Sequence, residues 1–352
     1  KTAYEIRLSL VGSEMCIRDS FQALSVMQAR YREQVKCIYI DPPYNTGDGD
    51  FAYKDQYQDS SWLSFLSGVL ELSGGVASRN GIIAISTDST EVNRLAFLCD
   101  GFFDRANRLA QVSVAKGTTT GQDAGAFGSS IDYLTVYRFT DKFKVGGLPL
   151  EADDILRFDR EDQNGKYSVL QLRKTGNADR REDRPNMYYA RVAPDGGEVF
   201  PIGPGGYESR WRAGKSTADE WLEEGLIEWI QRDGAWVPYV KYYAEGRLKR
   251  PSDLWDNVED DFLLESIEGN KKATRDLKAC LGRTVGFKNP KPIGLVKRLC
   301  NISNVASTEV VLDYFAGSGT TGHAVINLNR EDGGQRKFIL VEMGDYFDTV
   351  LL

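Results

Sequence analysis

Short apolar runs bounded by turn residues recur in the first and last thirds of the sequence. Each run is four to seven residues long, which suits a buried strand: 37–40, 81–86, 133–139, 309–313 and 337–342. Apolar residues at helical spacing fall between the runs, as in Phe21, Leu24, Met27 and Tyr31 and again in residues 62–70. Gly74–Gly75 is predicted to interrupt this second helix. Strands that alternate with helices predict an α/β fold with a doubly wound, mostly parallel sheet.

The pattern changes between residues 150 and 284. Charged and aromatic residues mix there with glycine and proline turns, and alternating stretches such as 235–240 predict short strands. We therefore predict an irregular α+β domain at 150–284, inserted between two halves of one sheet at 19–149 and 285–352. Residues 1–18 are expected to be non-native, because the segment SLVGSEMCIRD resembles translated sequencing adaptor, and both ends are expected to be truncated.

Composition narrows the class of protein. Hydrophobic residues make up 41% and charged residues 27% of the 352 positions, which is typical of a soluble globular chain. No apolar run approaches the roughly 20 residues that a membrane-spanning helix needs. Five cysteines without a CxxC pair, and a single histidine, argue against a zinc site, so no metal is predicted. Cysteines without a disulfide framework favour a reducing cytoplasm.

The charge distribution is uneven. A net charge of −7 argues against binding nucleic acid through overall charge. Residues 241–300 nevertheless carry 13 Lys or Arg against 9 Asp or Glu, and a second basic cluster holds Arg173, Lys174, Arg180, Arg181 and Arg184. Local positive charge is enough for phosphate contacts. Either cluster taken alone is more often a solvated face.

The first candidate site is the tetrapeptide Asp41-Pro42-Pro43-Tyr44, at the point where the run 37–40 stops. The carboxyl ends of parallel strands form the edge of an open α/β sheet where ligands bind. Two prolines fix φ and remove two backbone donors, so they leave a stiff turn between a carboxylate and an aromatic ring. Such a corner can hold a flat polar molecule. An ordinary strand-to-loop turn uses the same residue types.

The second candidate site is a glycine loop that follows the run 309–313. Gly317, Gly319 and Gly322 have the spacing of a dinucleotide-binding fingerprint between a strand and a helix, and Glu342 follows 20 residues after Gly322. An acid at that strand end can bind two ribose hydroxyls. NAD and S-adenosylmethionine both satisfy this geometry. A P-loop does not fit, since no lysine precedes Thr320 or Thr321.

Together, Asp41–Tyr44 and the run 313–319 resemble the motifs of the amino-methyltransferase family of DNA-modifying enzymes. The tetrapeptide precedes the glycine loop by 272 residues, an order similar to that of the β class of the family. The run 38–47 and the run 287–292 are similar to the modification subunit of type III restriction-modification systems, as are 184–189, 201–203 and 254–256. The resemblance runs from about Asp19 to the end. It implies a Rossmann-like methyltransferase sheet with permuted motif order and a target-recognition domain at 150–284.

The resemblance also implies roles for particular residues. Asp41, Pro42, Pro43 and Tyr44 would be catalytic: the Asp41 carboxylate and the Pro42 carbonyl would accept hydrogen bonds from the target amine, while Tyr44 would stack on the flipped base. The cofactor-binding residues would be Asp313, Phe315, Gly317, Gly319, Thr320, Glu342, Lys291, Pro292 and Asp19. The expected cofactor is S-adenosylmethionine, with Phe315 near its sulfonium.

The implied activity is methylation of the exocyclic N6 of adenine in duplex DNA. The expected partners are double-stranded DNA with a flipped adenine, a second copy of the chain and a separate restriction subunit, in a bacterial or archaeal cytoplasm and without a membrane. Cytosine-N4 methylation is the nearest rival, although Asp at position 41 favours adenine because the cytosine enzymes more often carry Ser there. A nicotinamide-dependent oxidoreductase and an inactive DNA-binding remnant are more distant alternatives.

Overall fold

A computed structural model of the chain describes residues 15–45, 59–115, 130–255, 270–282, 287, 289–342 and 350. Residues 1–14 of the segment predicted to be non-native lie outside this part of the chain. For residues 15–19 only the helical backbone is described, so the side chain of Asp19 lies outside it as well.

The elements follow the predicted alternation. The first stretch of chain holds α1 (Met15–Arg30), β1 (Val35–Ile40), α2 (Asp59–Val76), β2 (Ala77–Thr87), α3 (Val92–Phe103), a 3-10 turn (Arg105–Asn107), β3 (Arg108–Ala115) and β4 (Ile131–Arg138). The middle holds β5 (Leu148–Pro149), α4 (Ala152–Leu156), β6 (Arg160–Asp162), β7 (Gly165–Gln171), two 3-10 turns (Arg181–Asp183 and Pro185–Met187), β8 (Arg191–Val192), β9 (Glu198–Val199), α5 (Lys215–Glu223), β10 (Ile227–Arg232), β11 (Ala235–Tyr243) and β12 (Leu248–Lys249). The last stretch holds β13 (Leu254–Trp255), α6 (Asn270–Leu281), α7 (Ile293–Ile302), β14 (Val310–Asp313), α8 (Thr320–Asp332) and β15 (Lys337–Leu340).

The chain divides into two compact units. The first combines the described residues up to Leu148 with those from Arg250 onward, and the second is Pro149–Lys249. The second unit therefore ends earlier than the predicted insert at 150–284. The reason is that Leu254–Trp255 pairs in parallel with β3 and so joins the sheet of the first unit. The role of the middle segment as a target-recognition domain stays a prediction.

A seven-stranded sheet forms the centre of the first unit, in the order β13-β3-β4-β2-β1-β14-β15. The pairs β13-β3, β2-β1, β1-β14 and β14-β15 are parallel, and β4 runs antiparallel to both β3 and β2. The predicted mostly parallel sheet is thus confirmed. The chain builds the sheet outward from β1 towards β2 and later returns to the opposite side of β1 with β14. The strand order consequently reverses between β1 and β14, which is where open α/β sheets bind ligands.

Helices cover both faces of this sheet, as the doubly wound prediction requires. Successive residues of β1 point to opposite faces, so Ile38 and Ile40 pack with α1, α2 and α3, whereas Cys37 and Tyr39 pack with α7 and α8. All six residues of β1 are buried, which explains why this strand reads as a continuous apolar run.

The predicted interruption at Gly74–Gly75 is wrong, since α2 continues through both glycines to Val76. A side chain at position 75 would collide with Gln28 of α1. Gln28 donates one hydrogen bond to the carbonyl of Leu24 in its own helix and another, of 2.8 Å, to the carbonyl of Leu72 in α2. The glycine therefore permits close packing of two helices, and this contact offsets the helix propensity that it lacks.

The second unit is built on an antiparallel sheet in the order β10-β11-β7-β6, beside a small β8-β9 ladder. Its buried apolar cluster consists of Leu172, Trp211, Ile227 and Val240. Short strands joined by turns match the irregular α+β character that the sequence predicts. Within the part of the chain that the structure describes, no helix is both long and apolar enough to cross a membrane.

Candidate active site

The two predicted motifs end neighbouring strands. β1 and β14 pair in parallel, with Ile38 opposite Leu312, so Asp41 and Asp313 emerge at the same edge of the sheet. Parallel register thus brings the tetrapeptide and the glycine loop to the reversal of strand order. The β4 strand runs antiparallel to β2, with Tyr133 opposite Thr87. Its amino end therefore lies at this edge, and Asp132 lies there too.

The tetrapeptide forms a braced corner. The Tyr44 hydroxyl donates a 2.8 Å hydrogen bond to Oδ1 of Asp41, and the indole N–H of Trp62 in α2 donates one of 2.8 Å to the carbonyl of Pro43. Asn45 closes the turn in the left-handed region at φ 58°, and its amide donates to Glu91. These contacts fix the direction of the Asp41 carboxylate, whose side chain remains 26% exposed.

Lys291 and Asp132 complete a cluster of charges around this corner. The ammonium of Lys291 lies 3.3 Å from Oδ1 of Asp41 and 3.2 Å from Oδ2 of Asp132, and it also donates to the Tyr44 hydroxyl at 2.5 Å. It sits 4.6 Å from the centroid of the Tyr44 ring, within cation-π range. Lys291 and Asp132 have side chains only 10% exposed, so the ion pairs are shielded from water.

Burial and charge act in opposite directions on these groups. Burial raises the pKa of Asp41, the nearby Lys291 lowers it and Asp132 raises it again, with a raised pKa as the result. Burial alone would lower the pKa of Lys291, but the carboxylates of Asp41 and Asp132 raise it above its ordinary value. Burial and the neighbouring Asp41 raise the pKa of Tyr44 well above 10.0, so the phenol keeps its proton. Lys291 therefore remains a cation, and Asp41 is an acid whose ionisation depends on that cation.

The glycine loop is held by Asp313. Its Oδ1 accepts a 3.0 Å hydrogen bond from the backbone N–H of Phe315, and its Oδ2 accepts a 2.6 Å hydrogen bond from the Thr321 hydroxyl at the start of α8. Burial raises the pKa of Asp313 to about 7 in spite of these hydrogen bonds. The next strand contributes Glu342, whose Oε2 accepts from the backbone N–H of Gly317 at 2.7 Å.

Backbone conformation explains the glycines. Gly317 and Gly319 have φ of 53° and 78°, in the left-handed region, and Gly319 directly precedes α8. A Cβ on Gly317 would lie 3.1 Å from the ring of Phe287. The loop therefore presents bare backbone at a helix N-terminus. Thr320 links it to the charged corner, since its hydroxyl donates to the carbonyl of Lys291 at 3.1 Å.

These residues fit an adenosine-containing cofactor. Glu342 lies two residues beyond β15, where an acid can bind a ribose diol, and the unsubstituted loop leaves room for a ligand to approach the backbone closely. The ring of Phe315 packs edge-on against Phe65, with centroids 5.6 Å apart. Pro292 is buried and immediately precedes α7. Within the described residues, no group of His, Cys, Asp and Glu is arranged to hold a metal ion.

The structure thus sorts the predicted site residues into two groups. Asp41, Pro43 and Tyr44 share one network with Lys291, while Asp313, Phe315, Gly317, Gly319, Thr320 and Glu342 belong to the loop. The Lys291 side chain points to the tetrapeptide and its carbonyl contacts the loop, so its predicted contact with the cofactor stays a prediction. Sequence reasoning missed Asp132 and Thr321. The sequence signal for Asp132 was its place just before the apolar run 133–139. If that strand is antiparallel, its amino end lies at the same sheet edge as Asp41.

Comparison with known proteins defines the family. The model of the N6/N4 DNA methylase family matches residues 35–350. The chain therefore belongs to this family of DNA methylases. Enzymes of the family use S-adenosylmethionine as methyl donor, which confirms the cofactor prediction at the level of the family. Family membership removes the nicotinamide-dependent alternative.

Particular relatives fall into two kinds. The type II methyltransferase M.KpnI of Klebsiella pneumoniae is 32% identical over 95% of this chain and 81% of that protein. The Mod subunit of the type III restriction-modification enzyme EcoPI of Escherichia phage P1 is 28% identical over 92% of this chain and 56% of that protein. The chain thus spans about half the length of this Mod subunit. Among solved structures, the DNA modification methylase TTHA0409 of Thermus thermophilus, complexed with S-adenosyl-L-methionine, has a TM-score of 0.43 and 14% identity over 94% of this chain and 90% of that one.

Proposed function

We propose that the chain transfers a methyl group from S-adenosylmethionine to the exocyclic N6 of adenine in duplex DNA, as the modification subunit of a type III system. The observation that carries this proposal is the convergence of the Asp41–Tyr44 corner and the Asp313–Gly319 loop on one edge of the sheet. The Asp41–Tyr44 corner holds a carboxylate beside an aromatic ring, and the Asp313–Gly319 loop presents unsubstituted backbone beside the acid Glu342. Similarity to the EcoPI Mod subunit supports the assignment to type III.

The Asp41 corner suits the chemistry of an exocyclic amine. The lone pair of such an amine is delocalised into the ring, which makes it a poor nucleophile. Hydrogen bonds from the amine to the Asp41 carboxylate and to the Pro42 carbonyl favour a pyramidal nitrogen whose lone pair is free to attack. The base must leave the duplex to reach this corner, and the Tyr44 ring provides a stacking surface for it.

Proton balance gives Asp41 a second task. When bound, S-adenosylmethionine would supply an activated methyl group, which N6 would attack while the bond to sulfur breaks and its electron pair stays on sulfur. The nitrogen then carries one proton in excess. An ionised Asp41 at hydrogen-bond distance accepts this proton, which makes the carboxylate both an orienting group and a general base.

The loop would hold the cofactor without taking part in the chemistry. Glu342 would bind the ribose hydroxyls, and the left-handed backbone at Gly317 and Gly319 would lie against the cofactor. Asp313 would keep the loop in this shape through Phe315 and Thr321.

The partners are part of the same proposal. The second unit would act as the target-recognition domain, where arginines could read guanine edges and amides could read adenine edges. Its basic cluster is partly neutralised, because Arg181 pairs with Glu208 at 2.8 Å and stacks over the Tyr188 ring at 4.5 Å. A homodimer, a separate restriction subunit and a cytoplasmic location complete the proposal by analogy with type III systems.

Cytosine-N4 methylation is the second candidate, because the family includes enzymes of both kinds. Asp at position 41 favours adenine. The test is incubation of the full chain with tritiated S-adenosylmethionine and mixed-sequence duplex DNA, followed by mass spectrometry of the nucleosides. We expect N6-methyladenine, and N4-methylcytosine would replace the proposal by its rival. DNA binding without any label would identify an inactive remnant.

Mapping the methylated positions on each strand then separates the two kinds of relative. Methylation of one strand of an asymmetric site is the result expected for a type III modification subunit. Methylation of both strands of a palindrome would overturn that part of the proposal while leaving adenine methylation intact.

A further inference from the structure

The ammonium of Lys291 contacts the groups that the target amine needs. It lies 3.3 Å from the Asp41 carboxylate, donates to the Tyr44 hydroxyl and sits 4.6 Å from the centre of the Tyr44 ring. The proposed target amine would donate to the same carboxylate, and the base would stack on the same ring. Lys291 and Tyr44 both contact Oδ1 of Asp41, so an incoming amine competes with them at this oxygen, and a stacked base competes with the ammonium for the Tyr44 ring. Such competition would displace Lys291 from Asp41.

Asp132 offers the ammonium a second partner. Its Oδ2 lies 3.2 Å from the Lys291 nitrogen, as close as the Asp41 oxygen, and its side chain is equally shielded from water. Lys291 can therefore release Asp41 and keep a buried ion pair. Without Asp132 the same movement would leave a buried cation without a counter-charge, which is strongly unfavourable.

We propose that Lys291 and Asp132 are positioning residues for methyl transfer: Lys291 neutralises the Asp41 carboxylate until the target amine arrives and then shifts towards Asp132. This inference rests on the proposed function of Asp41. A neutral amine cannot replace the charge of the ammonium, so the partly buried Asp41 without a nearby cation would tend to take up a proton. Keeping the displaced ammonium on Asp132 holds positive charge close enough to keep Asp41 ionised.

Other groups around Asp41 do not replace Lys291. Tyr44 from the same turn and Tyr39 from β1 are phenols with raised pKa values, so both keep their protons and carry no charge. Asp132 from β4 and Asp313 from β14 are acids, and both oppose the ionisation of Asp41. The cation from the segment before α7 is the group that offsets them.

The experiment uses two variants with opposite expected effects. The acid limb of the pH profile of kcat/KM for DNA reports the ionisation of Asp41 in the free enzyme. Lys291→Met removes the cation, so the acid limb should move to higher pH by about one unit. On the acid side of the profile this shift makes kcat/KM about tenfold lower than in the unaltered chain. Asp132→Asn removes an opposing charge, so the limb should move to lower pH. KM for DNA should rise several-fold in this variant, because the ammonium then stays on Asp41.

Lys291→Arg is the conservative control, since it keeps the charge and should keep the acid limb in place even if the rate falls. Variants that are inactive need a readout that uses neither DNA nor cofactor. The carbon-13 resonance of the Asp41 carboxyl provides it, and its absence from the spectrum of Asp41→Asn assigns it. The pKa of Asp41 read from this resonance should rise in Lys291→Met and fall in Asp132→Asn. Unmoved titrations in folded variants would overturn this inference. Absence of methyl transfer by the unaltered chain would instead overturn the proposed function.

Discussion

Asp41 and Asp313 invite direct comparison, because they end neighbouring parallel strands and burial raises the pKa of both. They differ in their partners. Asp313 accepts hydrogen bonds from the backbone of Phe315, two residues further along its own loop, and from the Thr321 side chain at the start of α8. Asp41 is paired with Lys291, which comes from a distant part of the sequence and carries a full charge.

This difference distinguishes Asp313, an acid that holds the loop in shape, from Asp41, an acid that is free to contact a substrate. The Phe315 donor is backbone of the loop itself, and the Thr321 donor is a fully buried side chain, so Asp313 keeps both partners and holds the shape of the loop. The partners of Asp41 are the ends of two side chains, and one of them has a second acceptor in Asp132. Asp41 can therefore exchange a partner for a substrate while the backbone stays in place.

The largest effect is expected from Asp41→Ala. This change removes both the acceptor for the target amine and the base that takes its proton, so methyl transfer should fall on the order of 10³-fold or more. The measurement is the single-turnover rate with tritiated cofactor. Asp141→Ala, at an exposed turn, is the matched control and should leave the rate unchanged. A rate for Asp41→Ala within tenfold of the unaltered chain would contradict the catalytic role.

The second effect concerns Asp313 and pH. Its pKa of about 7 in the folded chain exceeds the ordinary value of 3.8, so between these values the folded state binds more protons than the unfolded state. The free energy of unfolding should therefore fall as pH rises from about 4 to about 7, by roughly 3–4 kcal/mol for this group. Asp313→Asn should remove that slope in urea denaturation measured across this range.

Asp332→Asn provides a control whose effect has the opposite sign and lies below this pH range, so it should leave the slope between pH 4 and 7 unchanged. Arg336 lowers the pKa of Asp332, so the contribution of Asp332 should be present above its ordinary pKa and should disappear as pH falls through the lowered value. Equal slopes for the unaltered chain and Asp313→Asn between pH 4 and 7 would show that Asp313 is not the buried acid described here.

A smaller effect is expected from Gly317→Ala. Alanine at φ 53° costs about 1–2 kcal/mol, and its methyl group would press on Phe287. Cofactor affinity should weaken about tenfold, and the methyl transfer rate at saturating cofactor should change less. Calorimetric titration with S-adenosylmethionine makes the measurement. Gly333→Ala is the matched control, because Gly333 also has a positive φ, of 70°, at the other end of α8, with open space around it. Unchanged affinity in Gly317→Ala would count against the cofactor loop.

Much of the fold could be read from the sequence because its strands are buried on both faces. Mainly apolar runs such as 37–40 and 309–313 mark such strands, and the structure places them side by side. The β3 strand was missed. Only Val112 and Val114 of its eight residues are buried, so its apolar signal is weak.

The candidate site was predictable only where it is local in sequence. The turn at Asp41–Tyr44 and the left-handed glycines at 317 and 319 leave clear local signals. Asp132 and the direction of the Lys291 side chain depend on how separate segments pack, and no local pattern encodes that. The close approach of Gln28 to Gly75 is of the same kind, since it turned an expected helix break into a helix contact.

Calorimetric titration of S-adenosylmethionine into Asp41→Ala tests the division between the two acids most directly. If Asp41 contacts the target amine and Asp313 shapes the cofactor loop, this variant binds the cofactor within a few fold of the unaltered chain while methyl transfer is lost. A loss of cofactor affinity that matches the loss of methyl transfer would contradict the account, because it would place Asp41 in the cofactor site instead of beside the target base.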